Sequence, residues 1–289
     1  MDERIDDLTG RRSVIVGSRQ SRPNLPSQGC PFCPGGLEAP DAYDVRWFVN
    51  RWPAMPDERC ELVLYTPEHG AEFWTLGAAG ALRVVELWTE RTRVLGARDD
   101  VDYVLVFENR GPQVGATIAH PHGQIYAYED VPPEPLAELD RGAAGAAGVD
   151  PTGVAPDLVV HRDGAWVAWV PEAATWPYEL RLAHLGEVGA LTDDDCDRQG
   201  LASTMVQVLA RLDQLFDAPM PYMMWIHQRP TDGRAWPSAR LHVHITPLNR
   251  GPGVQRFMAA AELGAGLFFN PVDPRDAAAA LRAQPGVPT

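Results

Sequence analysis

Short apolar runs bounded by Gly, Pro, Asp and Asn punctuate the first half of the chain, at residues 12–16, 46–50, 60–65, 103–108 and 124–128. Runs of this length with breakers at both ends predict strands. Residues 81–95 instead carry apolar side chains at helical spacing and predict an amphipathic helix. A Gly-, Ala- and Pro-rich stretch at 140–157 reads as a linker. The pattern then resumes. Residues 165–170 and 180–183 predict strands, and 192–216 a long helix with Thr192 as its N-cap and acidic residues in its first turn. Residues 222–227 and 241–246 predict two further strands.

Histidines mark the same places in both halves. His69 and His184 each follow a strand, and a His-x-His pair lies near the end of each half, His120/His122 and His242/His244. The order strand, His, helix, strand, His-x-His thus occurs twice. It predicts an α+β fold of two duplicated units, at 1–140 and 158–289. The sheet is expected to be mostly antiparallel, with helices packed on it.

The segment His120-Pro121-His122-Gly123-Gln124 concentrates the chemistry. Pro121 biases His120 toward extended backbone. In a strand, residues at i, i+2 and i+4 share a face. Two imidazoles and one amide therefore converge. Gly115 and Gly123 let backbone approach a ligand closely. Such a constellation suits attack by histidine on phosphorus, with a neutral amide binding the non-bridging oxygens.

Composition narrows the chemistry further. All 25 basic residues are arginine, so a lysine Schiff base, a P-loop lysine and a lysyl-nucleotidyl intermediate are excluded. A net charge of −14 disfavours a nucleic-acid partner. No apolar run approaches membrane-spanning length, and the first residues lack a secretory apolar core, so the cytoplasm is the expected location. Cys30 and Cys33 form a CPFC motif amid Pro and Gly, which reads as a metal knuckle on a loop. Cys60 and Cys196 read as packing residues, and His161 and His184 as surface ones.

These residues resemble the galactose-1-phosphate uridylyltransferase family of the histidine triad superfamily. The likeness runs through LTGRRSVIV, RQSRPNLP, CPFCPGG, YTPEH, FENRGPQVGATIAHPHGQ, ATWPYE, WIHQRP and LHVH. It implies a Zn²⁺ site at Cys30, Cys33, His69 and His120, a donor set that suits tetrahedral zinc. It implies a second site, for iron or zinc, at Glu138, His227, His242 and His244. By the same resemblance His122 is the nucleophile and Gln124 binds a phosphoryl oxygen. Arg19, Arg22, Asn109, Gly115 and Thr117 contact nucleotide or phosphate. Arg256, Phe257 and Glu262 hold the acceptor hexose phosphate of the neighbouring subunit in a homodimer. Ala261 and Phe268 depart from the family pattern, which bears on hexose choice.

The resemblance implies UMP exchange between UDP-glucose and a hexose 1-phosphate, galactose 1-phosphate first, through a uridylyl-histidine. Two alternatives stay open from residues alone: a related ADP-sugar or dinucleoside-polyphosphate phosphorylase or adenylyltransferase, and a non-catalytic zinc-binding module. For each histidine taken singly, a surface or satisfied core position is the default reading. Six of the eight fall at motif positions, and that weighs toward sites.

Overall fold

The structure is a computed structural model that describes residues 2–21, 29–145 and 149–288. In chain order the strands are β1 (Asp2–Ile5), β2 (Arg12–Ile15), β3 (Arg46–Val49), β4 (Cys60–Leu64), β5 (Tyr103–Arg110) and β6 (His122–Tyr128). They continue with β7 (Val159–Asp163), β8 (Trp166–Trp169), β9 (Leu180–His184), β10 (Tyr222–His227), β11 (His242–Pro247), β12 (Asn249–Gly251) and β13 (Val254–Gln255). The helices are α1 (Gly77–Gly96), α2 (Pro133–Ala143), α3 (Arg198–Leu215), α4 (Ala260–Ala265) and α5 (Pro274–Arg282).

Nine strands form one sheet in the order β3-β4-β6-β5-β10-β11-β9-β8-β7. Every pairing in it is antiparallel. The order β3-β4-β6-β5 is repeated, reversed, as β8-β9-β11-β10, and α1 and α3 occupy equivalent places in the chain. The junction is the β5–β10 pair, where Phe107 faces Trp225.

Alternation along the strands divides the sheet's faces. Val104, Val106, Ile125, Ala127, Met224, Ile226, Val243 and Ile245 are buried and join one core with α1 and α3. In α1 that core takes Ala81, Val84, Val85, Trp88 and Leu95, the spacing of a single helical stripe. Fully burying one such aliphatic or aromatic side chain stabilises the fold by roughly 1.5–3 kcal/mol. The residues between them, His122, Gln124 and Tyr126 on β6, point to the opposite face, which carries the polar chemistry.

Three expectations need correction. The long helix begins at Arg198, and its N-cap is Asp197, whose side chain accepts from Gly200 N at 2.9 Å. Thr192 lies ahead of it in a turn, where Asp193 accepts from Gly189 N and Ala190 N. The stretch 140–157 is only partly a linker: α2 extends to Ala143, and Val149 and Val154 pack on Val167, Trp169 and Ala183. His161 and His184, expected at the surface, are both half-buried, and Nε2 of His161 is enclosed and unpartnered among the described residues. The four cysteines are free, with Cys60 and Cys196 buried in packing positions.

Candidate active site and metal centres

The turn Cys30–Gly36 is wound tightly enough that only glycine fits at its end. A Cβ on Gly36 would lie 2.6 Å from Pro31 O, 2.7 Å from Cys30 O and 2.8 Å from Cys33 O. This winding brings both thiols over the end of β6. Donor atoms of Cys30, Cys33, His69 and His120 all lie within 4.8 Å of one another. Cys33 Sγ is 3.7 Å from His69 Nδ1 and 3.6 Å from His120 Nδ1. Tetrahedral zinc with ordinary Zn–S and Zn–N bonds needs an S–N separation of about 3.6 Å. The donor set therefore fits Zn²⁺ in chemistry and spacing.

The tautomer of His120 is fixed from behind. Its Nε2–H donates to Thr66 O at 2.7 Å, which leaves the Nδ1 lone pair toward the thiols. Tyr43 Oη lies 3.0 Å from the same Nε2 and 2.7 Å from Phe32 O, to which it donates. Burial, with His69 nearby and against the bond to Thr66, lowers the His120 pKa and keeps the ring neutral. Tyr43 and Thr66 escaped the sequence reading because a lone loop tyrosine and a backbone carbonyl leave no periodic signal.

His122 follows two residues on. Its Nδ1–H donates to His120 O at 2.8 Å, so its Nε2 carries the lone pair. The ring of Phe32, from the CPFC motif, packs edge-on at 5.1 Å. Gly123 between His122 and Gln124 is obligatory: a Cβ there would sit 2.2 Å from Tyr65 Oη. His122, Gln124 and Thr117 line an open cleft of about 780 Å³ with the Cys30–Gly36 turn. Asn50, Arg51 and Trp52 line it too, and the sequence reading assigned them no role. Asn109 shares this face of the sheet, two residues beyond Phe107, which pairs Gln124. Gly115 has φ of 83° and caps the turn that delivers Thr117. Arg19 is half-buried farther along the face, 3.4 Å from Tyr126 Oη. Arg22 lies outside the described residues.

The second cluster joins Glu138, His227, His242 and His244, again with donor atoms within 4.8 Å. Glu138 reaches it from α2, which Pro132 and Pro133 begin rather than break, since proline suits the first helical positions. Glu138 Oε2 is 2.8 Å from His227 Nδ1 and 3.4 Å from His242 Nε2. Nε2 of His242 and of His244 are buried with no hydrogen-bond partner among the described residues. Enclosed imidazole lone pairs beside a carboxylate fit a bound cation. Burial lowers the pKa of His227, and burial with the neighbouring His242, His227 and Arg181 lowers that of His244 far more.

The two clusters are related through the sheet. Gln124 pairs Leu62 and Phe107, as His244 pairs Arg181 and Trp225. A two-fold turn about the β5–β10 junction thus carries His122 onto His242, Gln124 onto His244 and Asn109 onto His227. His242 Nδ1–H even donates to Arg240 O at 2.8 Å, as His122 does to His120 O.

The residues expected to hold the acceptor are placed differently. Arg256 and Glu262 are buried and joined by an ion pair, and Arg256 lies 4.2 Å over the Trp176 ring. Neither lines the cleft that holds His122. Phe257 is 77% exposed.

Comparison with known proteins agrees with this architecture. Residues 50–132 match the family Galactose-1-phosphate uridyl transferase, N-terminal domain, and residues 154–278 its C-terminal domain. The galactose-1-phosphate uridylyltransferase of Thermotoga maritima is 32% identical, covering 98% of each chain. A solved structure titled as a uridylyltransferase superimposes with a TM-score of 0.89 at 30% identity, covering 98% of each chain. The ADP-glucose phosphorylase of Arabidopsis thaliana is 25% identical, over 96% of this chain and 92% of its own. On the family match and the identity across nearly its full length, the chain belongs to the galactose-1-phosphate uridylyltransferase family.

Proposed function

We propose that the chain exchanges UMP between UDP-glucose and a hexose 1-phosphate, galactose 1-phosphate first, with His122 as the nucleophile. The observation that carries this is the Nδ1–H bond from His122 to His120 O at 2.8 Å, which directs the Nε2 lone pair outward beside Gln124. In the first step an Nε2–phosphorus bond forms at the α-phosphoryl group, and the bond from that phosphorus to the bridging oxygen breaks. Hexose 1-phosphate departs with the electron pair. In the second step a phosphate oxygen of the incoming hexose 1-phosphate attacks the same phosphorus and releases His122. Gln124 donates to a non-bridging oxygen as charge builds there. Asn109, Thr117, Gly115, Arg19 and Arg22 surround the nucleotide phosphates in this reading.

Cys30, Cys33, His69 and His120 hold Zn²⁺, which ties the cysteine turn to the strand bearing His122. Glu138, His227, His242 and His244 hold a second metal, iron or zinc. The chain divides at 1–140 and 158–289 into two histidine-triad-like units, supported by the repeated strand order. Residues 256–268 complete the acceptor site of a partner copy. The cytoplasm is the proposed location, supported by the lack of a membrane-spanning helix among the described residues.

The test is isotope exchange between labelled glucose 1-phosphate and UDP-glucose without any other acceptor. The wild-type protein exchanges label and forms a trappable uridylyl-protein, and His122→Ala does neither while keeping its zinc. Exchange by His122→Ala would remove the covalent route. Preference for ADP-glucose and inorganic phosphate in parallel assays would move the chain to the phosphorylase branch, whose Arabidopsis member it also resembles.

A further inference from the structure

The two-fold relation has a consequence for the second half. Leu62, an apolar wall of the His122 cleft, is carried onto Arg181, which pairs His244. A separate cavity of about 320 Å³ lies there, lined by His242, Glu138, Arg181, Arg240 and Arg141. It is therefore the second half's counterpart of the nucleotide cleft.

Its electrostatics are unusual. Three guanidinium groups line it; Arg240 is paired with the exposed Glu187 at 3.0 Å, and the one carboxylate of the lining, Glu138, is engaged by His227 and His242. Arg181 is half-buried, and its Nε is enclosed without a hydrogen-bond partner among the described residues. Arg240 is fastened to the wall, donating to Pro237 O and Ala239 O at 2.9 Å each. A guanidinium beside a histidine cluster suited to a cation is repelled unless an anion lies between them. Ser238 and Gln228 add polar groups to the lining.

We infer that this cavity is a second, non-transferring phosphate site, in which Arg181 and Arg240 hold a phosphate group against His242. Arginine forks match the oxygen spacing of phosphate, which favours that class of anion over halide. The site binds and does no chemistry, because the three imidazoles are turned toward Glu138 and the metal position.

Calorimetric titration of the full-length, metal-loaded protein with inorganic phosphate tests this. The wild type shows two classes of site. Arg19→Ala weakens one, and Arg181→Leu, which installs the counterpart residue, weakens the other at least tenfold. Arg181→Gln serves if the leucine variant does not fold, with circular dichroism as the check. Repeating the titration with glucose 1-phosphate distinguishes free phosphate from a phosphomonoester, and the Arg181-dependent site must persist for at least one of them. An unchanged isotherm in a folded Arg181 variant, or one wild-type site that Arg19→Ala abolishes, overturns the proposal.

Discussion

Glu108 lies on β5, buried on the helix side of the sheet beside β6. Its carboxylate accepts from Tyr65 Oη at 3.0 Å and Tyr222 Oη at 2.8 Å, joining a residue beside β4 to one on β10. Tyr65 is the side chain that presses on Gly123. Glu108 therefore positions the backbone between His122 and Gln124 without touching the cleft. Burial pushes its pKa up to about 7, against hydrogen bonds from Tyr222 and Tyr65 and the charge of Arg110, with Glu72 adding to the rise. Asp213 also faces this network through its ion pair with Arg110. The sign follows. Between the ordinary carboxylate value and about 7, the folded state holds a proton that the unfolded chain has released. Stability from this group is thus full at low pH and falls as pH rises through that window. Glu108→Gln keeps the shape and one of the two acceptor oxygens and removes the titration. Denaturant unfolding at several pH values should show the wild type losing up to about 3 kcal/mol more than the variant across that window. Parallel curves for the two proteins would exclude this role.

At the scale of elements, the cysteine turn and α3 make separate demands. Gly36→Ala places a methyl group on three carbonyl oxygens of the turn, so the winding must open. Misplacing support around a metal ligand typically lowers affinity 10–100-fold. Zinc affinity, read from retention against a competing chelator, should therefore fall in Gly36→Ala by roughly tenfold relative to wild type. The same metal retention in both proteins would show that the turn tolerates the change. Much of this element was legible in advance, because Pro, Gly and paired cysteines at fixed spacing report local winding. The strand bearing His122 and Gln124 was legible for a similar reason: period-two alternation leaves a direct mark. The start of α3 was not. Thr192, Asp193 and Asp197 are all cap-type residues, and tertiary use decides among them. Asp193 is taken by Arg229 and the turn at Gly189, which leaves Asp197 to cap. The sequence 140–157 misled in the opposite way, because its Gly and Ala content hid Val149 and Val154, which cover the second half of the sheet.

At the scale of the molecule, the cleft that holds His122 is lined by no side chain from residues 256–268 of its own chain. That segment and the residue after it instead present Phe257, Leu263, Leu267, Phe268 and Phe269 to solvent at 50–77% exposure. Large apolar side chains exposed together on one short segment are characteristic of a contact surface. Beneath it, Nε and Nη1 of Arg256 are enclosed and unpartnered among the described residues, two donors available to a phosphate once the segment is repositioned. These features support a homodimer in which each segment serves the partner's cleft, and they set up a complementation experiment. Arg256→Ala alone should lower use of added galactose 1-phosphate by one to two orders of magnitude, roughly the 1.5–3 kcal/mol of a charge-assisted hydrogen bond. It should leave uridylyl-protein formation from UDP-glucose much less affected. His122→Ala alone should have no transfer activity. Mixed in a refolded dimer, the two variants form one cleft with an intact nucleophile and an intact acceptor arginine, and one with neither. Activity should therefore return to about a quarter of wild type, since half the dimers are mixed and each holds one good site of two. Sedimentation should give a dimer for all three proteins. A fully active monomer, or mixed dimers no more active than Arg256→Ala, would place the acceptor site within a single chain.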